Sequence, residues 1–180
     1  MRGGSLSRSM WRLSHRFDPA ALPLADRHYN RRKVGSAQFV PPGRCLVLLH
    51  HEDRALWVTS WPFREWVKHR WGGAWVCSLF RREGGEPASE MIRAAVSATR
   101  WRWPTPPEGM VTFLDRRHVR PIKVHGRVSW GRTWRLAGFR PDGETKGGLM
   151  AFHMSPEDMP GPMAPSGTQC ELALGLEGCA

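Results

Sequence analysis

Apolar positions recur with two different periods along this chain, and the switches between them mark out its elements. Trp11-Arg12-Leu13-Ser14-His15-Arg16-Phe17 alternates apolar with polar and predicts a first strand. Residues 18–29 follow as a turn leading into a short helix that carries the only tyrosine, Tyr29. Residues 44–50 and 54–61 are two strand-like runs joined by His51-Glu52-Asp53, the pattern of a hairpin. Residues 74–80 predict another strand, rich in strand formers. The period then changes to that of a helix. After Pro87, placed as the first helical residue, Ala88, Met91, Ile92, Ala95, Val96 and Thr99 share one face, and Pro104 ends the run. Residues 110–114 form a strand ending at Asp115, residues 131–139 a short helix closed by Gly138, and residues 148–154 a last strand. Residues 116–125 are basic and loop-like. Residues 1–9 and 155–180 lack periodicity and are expected to be a disordered leader and tail around one domain over 10–154. The order predicts a mixed α/β fold with a partly antiparallel sheet.

Composition sharpens this picture at one point. The chain of 180 residues suits one domain with a proper core, and its formal net charge of +11 and sequence pI near 10.9 point to a polyanionic partner such as nucleic acid. Arginine enrichment by itself is the plainer account of the same charge. Cys45, Cys77, Cys170 and Cys179 include no close pair, so buried thiols in a reducing compartment are expected. No run of about 18 apolar residues exists to span a membrane, and the basic N-terminus lacks the apolar core of a secretion signal. A cytoplasmic protein is expected.

The candidate chemistry centres on Arg81-Arg82-Glu83-Gly84-Gly85-Glu86, a glycine loop between a strand and a helix. Such a loop leaves backbone N–H groups beside the positive end of the helix dipole, and Arg81 and Arg82 add cations. An ordinary connection with solvated arginines is the bland alternative. Trp61, Trp66 and Trp71 are interleaved with Arg64, Lys68 and Arg70, and Trp101, Arg102 and Trp103 repeat the theme. These rings either stack on bases or are buried under a short amphipathic helix. Arg31, Arg32 and Lys33 add charge directly after His28-Tyr29. The histidines and carboxylates of residues 50–53 suggest a metal only superficially, because successive residues of a turn point apart.

The hairpin, the strand whose glycine loop opens a helix, the short helix ending in Ala137-Gly138-Phe139 and the closing strand together resemble the GNAT acyltransferase fold over about residues 10–154. That resemblance implies a mostly antiparallel sheet flanked by helices. Arg81, Gly84 and Glu86 stand where that superfamily's loop cradles the acyl-CoA pyrophosphate, with Gly85 between them. Glu86 departs from the small residue of the pattern, and a carboxylate there repels pyrophosphate. Within that fold the closer similarity is to the bacteriophage Mom DNA-modification family. It is carried by His28-Tyr29 before a basic run, Ser89 at the helix start, residues 111–115, and residues 134–139 leading to residues 143–148. The resemblance implies attachment of an acetamido-type group to the exocyclic amine of adenine, protecting DNA from restriction. It implies catalytic roles for His28, Tyr29, Ser89 and Asp115, donor contacts from Arg81, Arg82, Gly84 and Gly85, acetyl-CoA or another acyl donor, and DNA as partner. A metal requirement and the oligomeric state stay open. A conventional N-acetyltransferase and a non-catalytic basic DNA-binding protein are the rival expectations.

Overall fold

The computed structural model describes residues 9–168. The strands are β1 (Trp11–Ser14), β2 (Cys45–His50), β3 (Ala55–Ser60), β4 (Trp75–Arg82), β5 (Met110–Leu114), β6 (Ile122–Val124), β7 (Arg127–Ser129), β8 (Arg140–Glu144) and β9 (Met150–Met154). The helices are α1 (Leu22–Asp26), α2 (Ala88–Arg102) and α3 (Arg132–Leu136), with 3-10 turns at Arg64–Trp66 and Pro156–Asp158. Seven strands form one sheet in the order β1-β2-β3-β4-β5-β9-β8, and β6 and β7 form a separate two-stranded ribbon. Every pairing in the large sheet is antiparallel except β4 with β5.

Side chains of a strand alternate between the sheet's faces, and here both faces of the central strands are covered. Leu46, Leu48, Trp57 and Trp75 join Met91, Ile92, Ala95 and Val96 of α2 and Trp134 of α3 in the larger core. Val47, Leu49, Leu56 and Val58 face the other way, against Leu24 and Ala25 of α1 and the loop residues Phe39 and Val40. This two-sided burial explains why residues 46–49 read as a continuous apolar run.

A buried hydroxyl chain fixes α2 on β3. The Trp57 indole N–H donates to Thr59 Oγ1 at 2.7 Å, Thr59 Oγ1 lies 3.0 Å from Thr99 Oγ1, and the Thr99 hydroxyl donates to the Ala95 carbonyl at 2.8 Å. Each hydroxyl has one proton, so Thr59 must donate to Thr99.

Three findings differ from the expectations. Residues 122–125, expected to be basic and loop-like, form the β6–β7 hairpin together with residues 126–129, and Arg140–Glu144, to which the sequence pattern assigns no element, is an edge strand. The tail is the third. From Ser155 to Thr168 the chain is packed: Met159 is buried, the Ser97 hydroxyl donates to the Gly161 carbonyl at 2.6 Å, and Arg100 donates to the carbonyls of Met159 and Pro160. Ser166 then donates its backbone N–H to the Trp11 carbonyl at 2.7 Å, in a parallel bridge along β1. The expected leader, apart from Ser9, and residues 169–180 lie outside the described residues.

Candidate active site

Where the parallel pair separates, the sheet opens. β4 and β5 are bonded only through Trp75–Met110, Val76–Val111 and Cys77–Thr112. Beyond that point β4 stays with β3 and β5 stays with β9, so the two diverge. A bulge contributes at the fork: Val58 pairs with Leu79 and Thr59 with Cys77, which leaves Ser78 as an extra residue in β4. The wedge is a cavity of about 200 Å³, walled by Leu79 and Phe80 on one side and Phe113 and Leu114 on the other, with Cys77 and Trp134 also lining it. Gly131 turns the chain into α3 beside this wedge at φ +69°, where a Cβ would meet the Phe152 ring at 2.2 Å. Only glycine fits there.

His28 and Tyr29 line the same cavity. They follow α1, whose end is tied to the end of β4 by Glu83: its two oxygens accept from Arg27 at 2.6 Å each, and one accepts from Arg81 Nε at 2.7 Å. Hydrogen bonding to Arg27, then to Arg81, holds the Glu83 carboxyl down to about 2. Arg81 also donates to the Arg27 carbonyl at 2.5 Å. The guanidinium expected to bind an acyl donor therefore positions the His28-Tyr29 turn.

Tyr29 is sandwiched between two imidazoles, with His28 at 4.5 Å and His118 at 5.1 Å between ring centroids. Burial raises the Tyr29 phenol, so it keeps its proton at neutral pH. Burial, and secondly the Arg81 charge, pushes His28 down to about 4, so it is neutral. Its Nδ1 accepts the Asn30 N–H at 3.2 Å, which leaves Nε2 as the protonated nitrogen. His28 thus presents a hydrogen-bond donor rather than a base.

Asp115, just past β5, is held down to about 2 by hydrogen bonds from the Arg117 side chain and then the Arg117 backbone. Arg117 donates to both carboxylate oxygens at 2.6–3.1 Å, and His118 Nε2 lies 4.0 Å away. Since His118 stacks on Tyr29, the three rings and the carboxylate form one connected group. Ser89 is not part of it. It sits in the first turn of α2 and does not line the cavity.

The glycine loop also differs from the expected anion cradle. Arg82 bends over its own loop and donates to the carbonyls of Glu86 at 2.8 Å and Gly85 at 3.1 Å. A Cβ on Gly84 would meet Arg54 at 2.9 Å, and one on Gly85, at φ +85°, would meet His50 at the same distance. The buried His50 ring accepts the Glu52 N–H at Nδ1 and donates from Nε2 to the Glu86 carboxylate at 2.8 Å. His50, His51 and Glu52 gather their donor atoms within 4.8 Å, but both nitrogens of His50 are thereby committed. The loop leans on the β2–β3 hairpin, and its charges are spent on internal bonds. Backbone N–H groups of Gly84 and Gly85 have no protein acceptor among the described residues.

The expected nucleic-acid contacts scatter. Arg31 is a staple, bonding Asp26 at 2.7 Å and the carbonyls of Ser36 and Gln38. Arg32 and Lys33 are exposed and have no acidic partner among the described residues; they line a trough of about 510 Å³ that shares Asn30, Ser78 and Leu79 with the wedge. Arg64 pairs with Glu108 beside the starts of β4 and β5, and Arg102 ends α2, so both lie at the opposite end of the sheet from the wedge. Arg70 is spent on Asp142, whose carboxylate also takes the Trp71 indole N–H at 2.6 Å. Lys68 is exposed, as is Trp101, while Trp61 and Trp71 are structural, and Trp66 alone of that group projects, 78% exposed. His118, Arg120, Arg132 and Trp134, to which the sequence assigns no site role, lie at the wedge or stack on Tyr29. Among the described residues no helix is long and apolar enough to cross a membrane. Compared with protein-family models, curated proteins and solved structures, the chain finds no match.

Proposed function

We propose that this protein modifies DNA at the exocyclic amine of adenine, using the wedge between β4 and β5, as its likeness to the Mom family and the GNAT fold suggests. The observation that carries this reading is that His28 and Tyr29 line the gap where two parallel strands part, with the Asp115 carboxylate joined to them from outside its lining through His118. A parting central pair next to a loop-to-helix connection is the feature an acyltransferase-type scaffold needs to admit a donor and an amine from opposite sides.

In the reaction the amine nitrogen bonds to the donor carbon, the bond from that carbon to its leaving group breaks with its electron pair going to the leaving group, and the proton released from the amine passes to that leaving group. The ionised Asp115 accepts an amine N–H and orients the nucleophile once Arg117 swings away, an easy motion for a side chain 80% exposed. The phenol of Tyr29 and the Nε2–H of His28 donate to oxygen of the donor group. The donor is an acyl compound such as acetyl-CoA, with contacts from Arg32 and Lys33 rather than from the closed glycine loop. The self-satisfied Arg82 and Glu86 weigh against a conventional acetyl-CoA enzyme. A non-catalytic DNA-binding protein is favoured by one observation, the clamp of Arg117 on both oxygens of Asp115.

Nucleoside mass spectrometry of DNA from cells expressing the protein separates these readings. The expected result is a mass-shifted deoxyadenosine, reduced by about 100-fold in Tyr29→Phe and Asp115→Ala. Unmodified nucleosides together with salt-sensitive DNA binding establish the binding protein instead. Tight acetyl-CoA binding with turnover of a small amine establishes the conventional enzyme.

A further inference from the structure

The β6–β7 hairpin contributes none of its described residues to the buried core clusters. It stands apart from the seven-stranded sheet, pairs only within itself through Ile122–Ser129, Lys123–Val128 and Val124–Arg127, and leaves Val128 52% exposed. A two-stranded ribbon of this kind is at best marginally stable in water. Its turn is built well nevertheless: His125 at φ 48° and Gly126 at φ 77° supply the paired left-handed residues that match the twist of a two-residue hairpin.

Its charge is equally one-sided. Between Asp115 and Asp142 the chain has eight Lys and Arg residues and no carboxylate. Lys123, Arg127, Arg120 and Arg132 have no acidic partner among the described residues, in contrast to Arg64, Arg70, Arg116 and Arg117, which are paired. Ile122, Ser129, Arg120 and Arg132 also line the wedge, so the ribbon rises from its rim. By strand alternation Arg127 is on the face that Ser129 turns to the wedge, and Lys123 is on the outer face with Val128.

We infer that this hairpin is a DNA grip that enters the major groove of a duplex and sets it over the wedge. The inference rests on the proposed action on DNA and adds the element that holds the duplex. A two-stranded ribbon fits the roughly 12 Å major groove of B-form DNA, with cations on both faces to meet the phosphates of the two walls. The deep, narrow groove of A-form RNA does not admit it.

The test is binding of the full chain to a short DNA duplex, followed by anisotropy across a salt series. Lys123→Ala with Arg127→Ala is expected to weaken binding about tenfold or more at 0.1 M salt and to lower the salt slope by about 2, close to one for each phosphate no longer neutralised. Val128→Glu, which alters an exposed residue and spares the core, is expected to weaken binding too. Arg64→Ala with Arg102→Ala removes the same charge from the rival basic surface at the far end and is expected to change the slope by less than about half as much. Equal losses from both pairs, wild-type binding by the hairpin variants, or equal affinity for an RNA duplex or anionic vesicles overturns the inference. So does absence of duplex binding by the wild type. If the hairpin variants lose binding while nucleosides are unmodified, the grip stands and the modification reading falls; modified DNA with unaffected hairpin variants gives the reverse.

Discussion

Neutral His28 carries a cost that pH reveals. Burial pushes its folded value down to about 4 from an ordinary 6.5, so between those limits the unfolded chain binds more protons than the folded one. Stability contributed by the neutral ring is therefore full above pH 6.5 and declines as pH falls toward 4. The expected outcome is a loss on the order of 1 kcal/mol between pH 6.5 and 5, after allowing for solvent screening, and a flatter profile in His28→Gln, as thermal melts across that window will register. Glu83 and Asp115 do not confuse the measurement, because carboxyls lowered to about 2 lose their contribution only below the ordinary carboxylate range. His28 and Tyr29 were legible in sequence only through the family likeness. Their neutral state was not, because it depends on walls supplied by β4 and β5, both distant in the chain.

At the scale of elements, α2 was the most legible piece, and its bounds follow from local rules: Pro87 precedes it as the N-cap, one position before the place expected for it, an apolar stripe docks it, and Arg100 and Arg102 suit its negative end. The threonine relay that anchors it was hidden. Thr59 and Thr99 are ordinary polar residues in sequence, and only their meeting across forty positions gives each a partner. Thr99→Val is expected to leave the Thr59 proton without an acceptor and to cost about 1–3 kcal/mol, measurable by urea unfolding, whereas Thr99→Ser restores most of it. The β6–β7 hairpin was missed for a different reason. Ile122, Val124 and Val128 do alternate with polar residues, but the basic composition outweighed that short period. Pro141, Asp142 and Gly143 carry no strand pattern in sequence, and only pairing with β9 makes them a strand.

The whole molecule resolves the ambiguity of its charge. A value of +11 says nothing about where cations collect, and several arginines that looked available are bound: Arg31 to Asp26, Arg27 and Arg81 to Glu83, Arg82 to its own loop. Arg120, Lys123, Arg127 and Arg132, without an acidic partner among the described residues, sit at or beside the rim of the wedge, while Lys68 and Arg102 lie elsewhere; that placement is a property of the fold and not of composition. The margins of the sheet are the other whole-molecule feature. On one side β1 is met by Ser166; on the other β8 carries Pro141 and an irregular register with β9. Neither flank offers an unbroken row of backbone donors to a neighbouring copy, so lateral growth of the sheet into fibrils is denied a template. Replacing Pro141 with threonine is expected to expose such a row and to produce concentration-dependent turbidity in a light-scattering assay, where the parent protein stays dispersed. The pyrrolidine ring of Pro141 thus removes one backbone donor from the β8 margin of a tryptophan-rich, seven-stranded sheet.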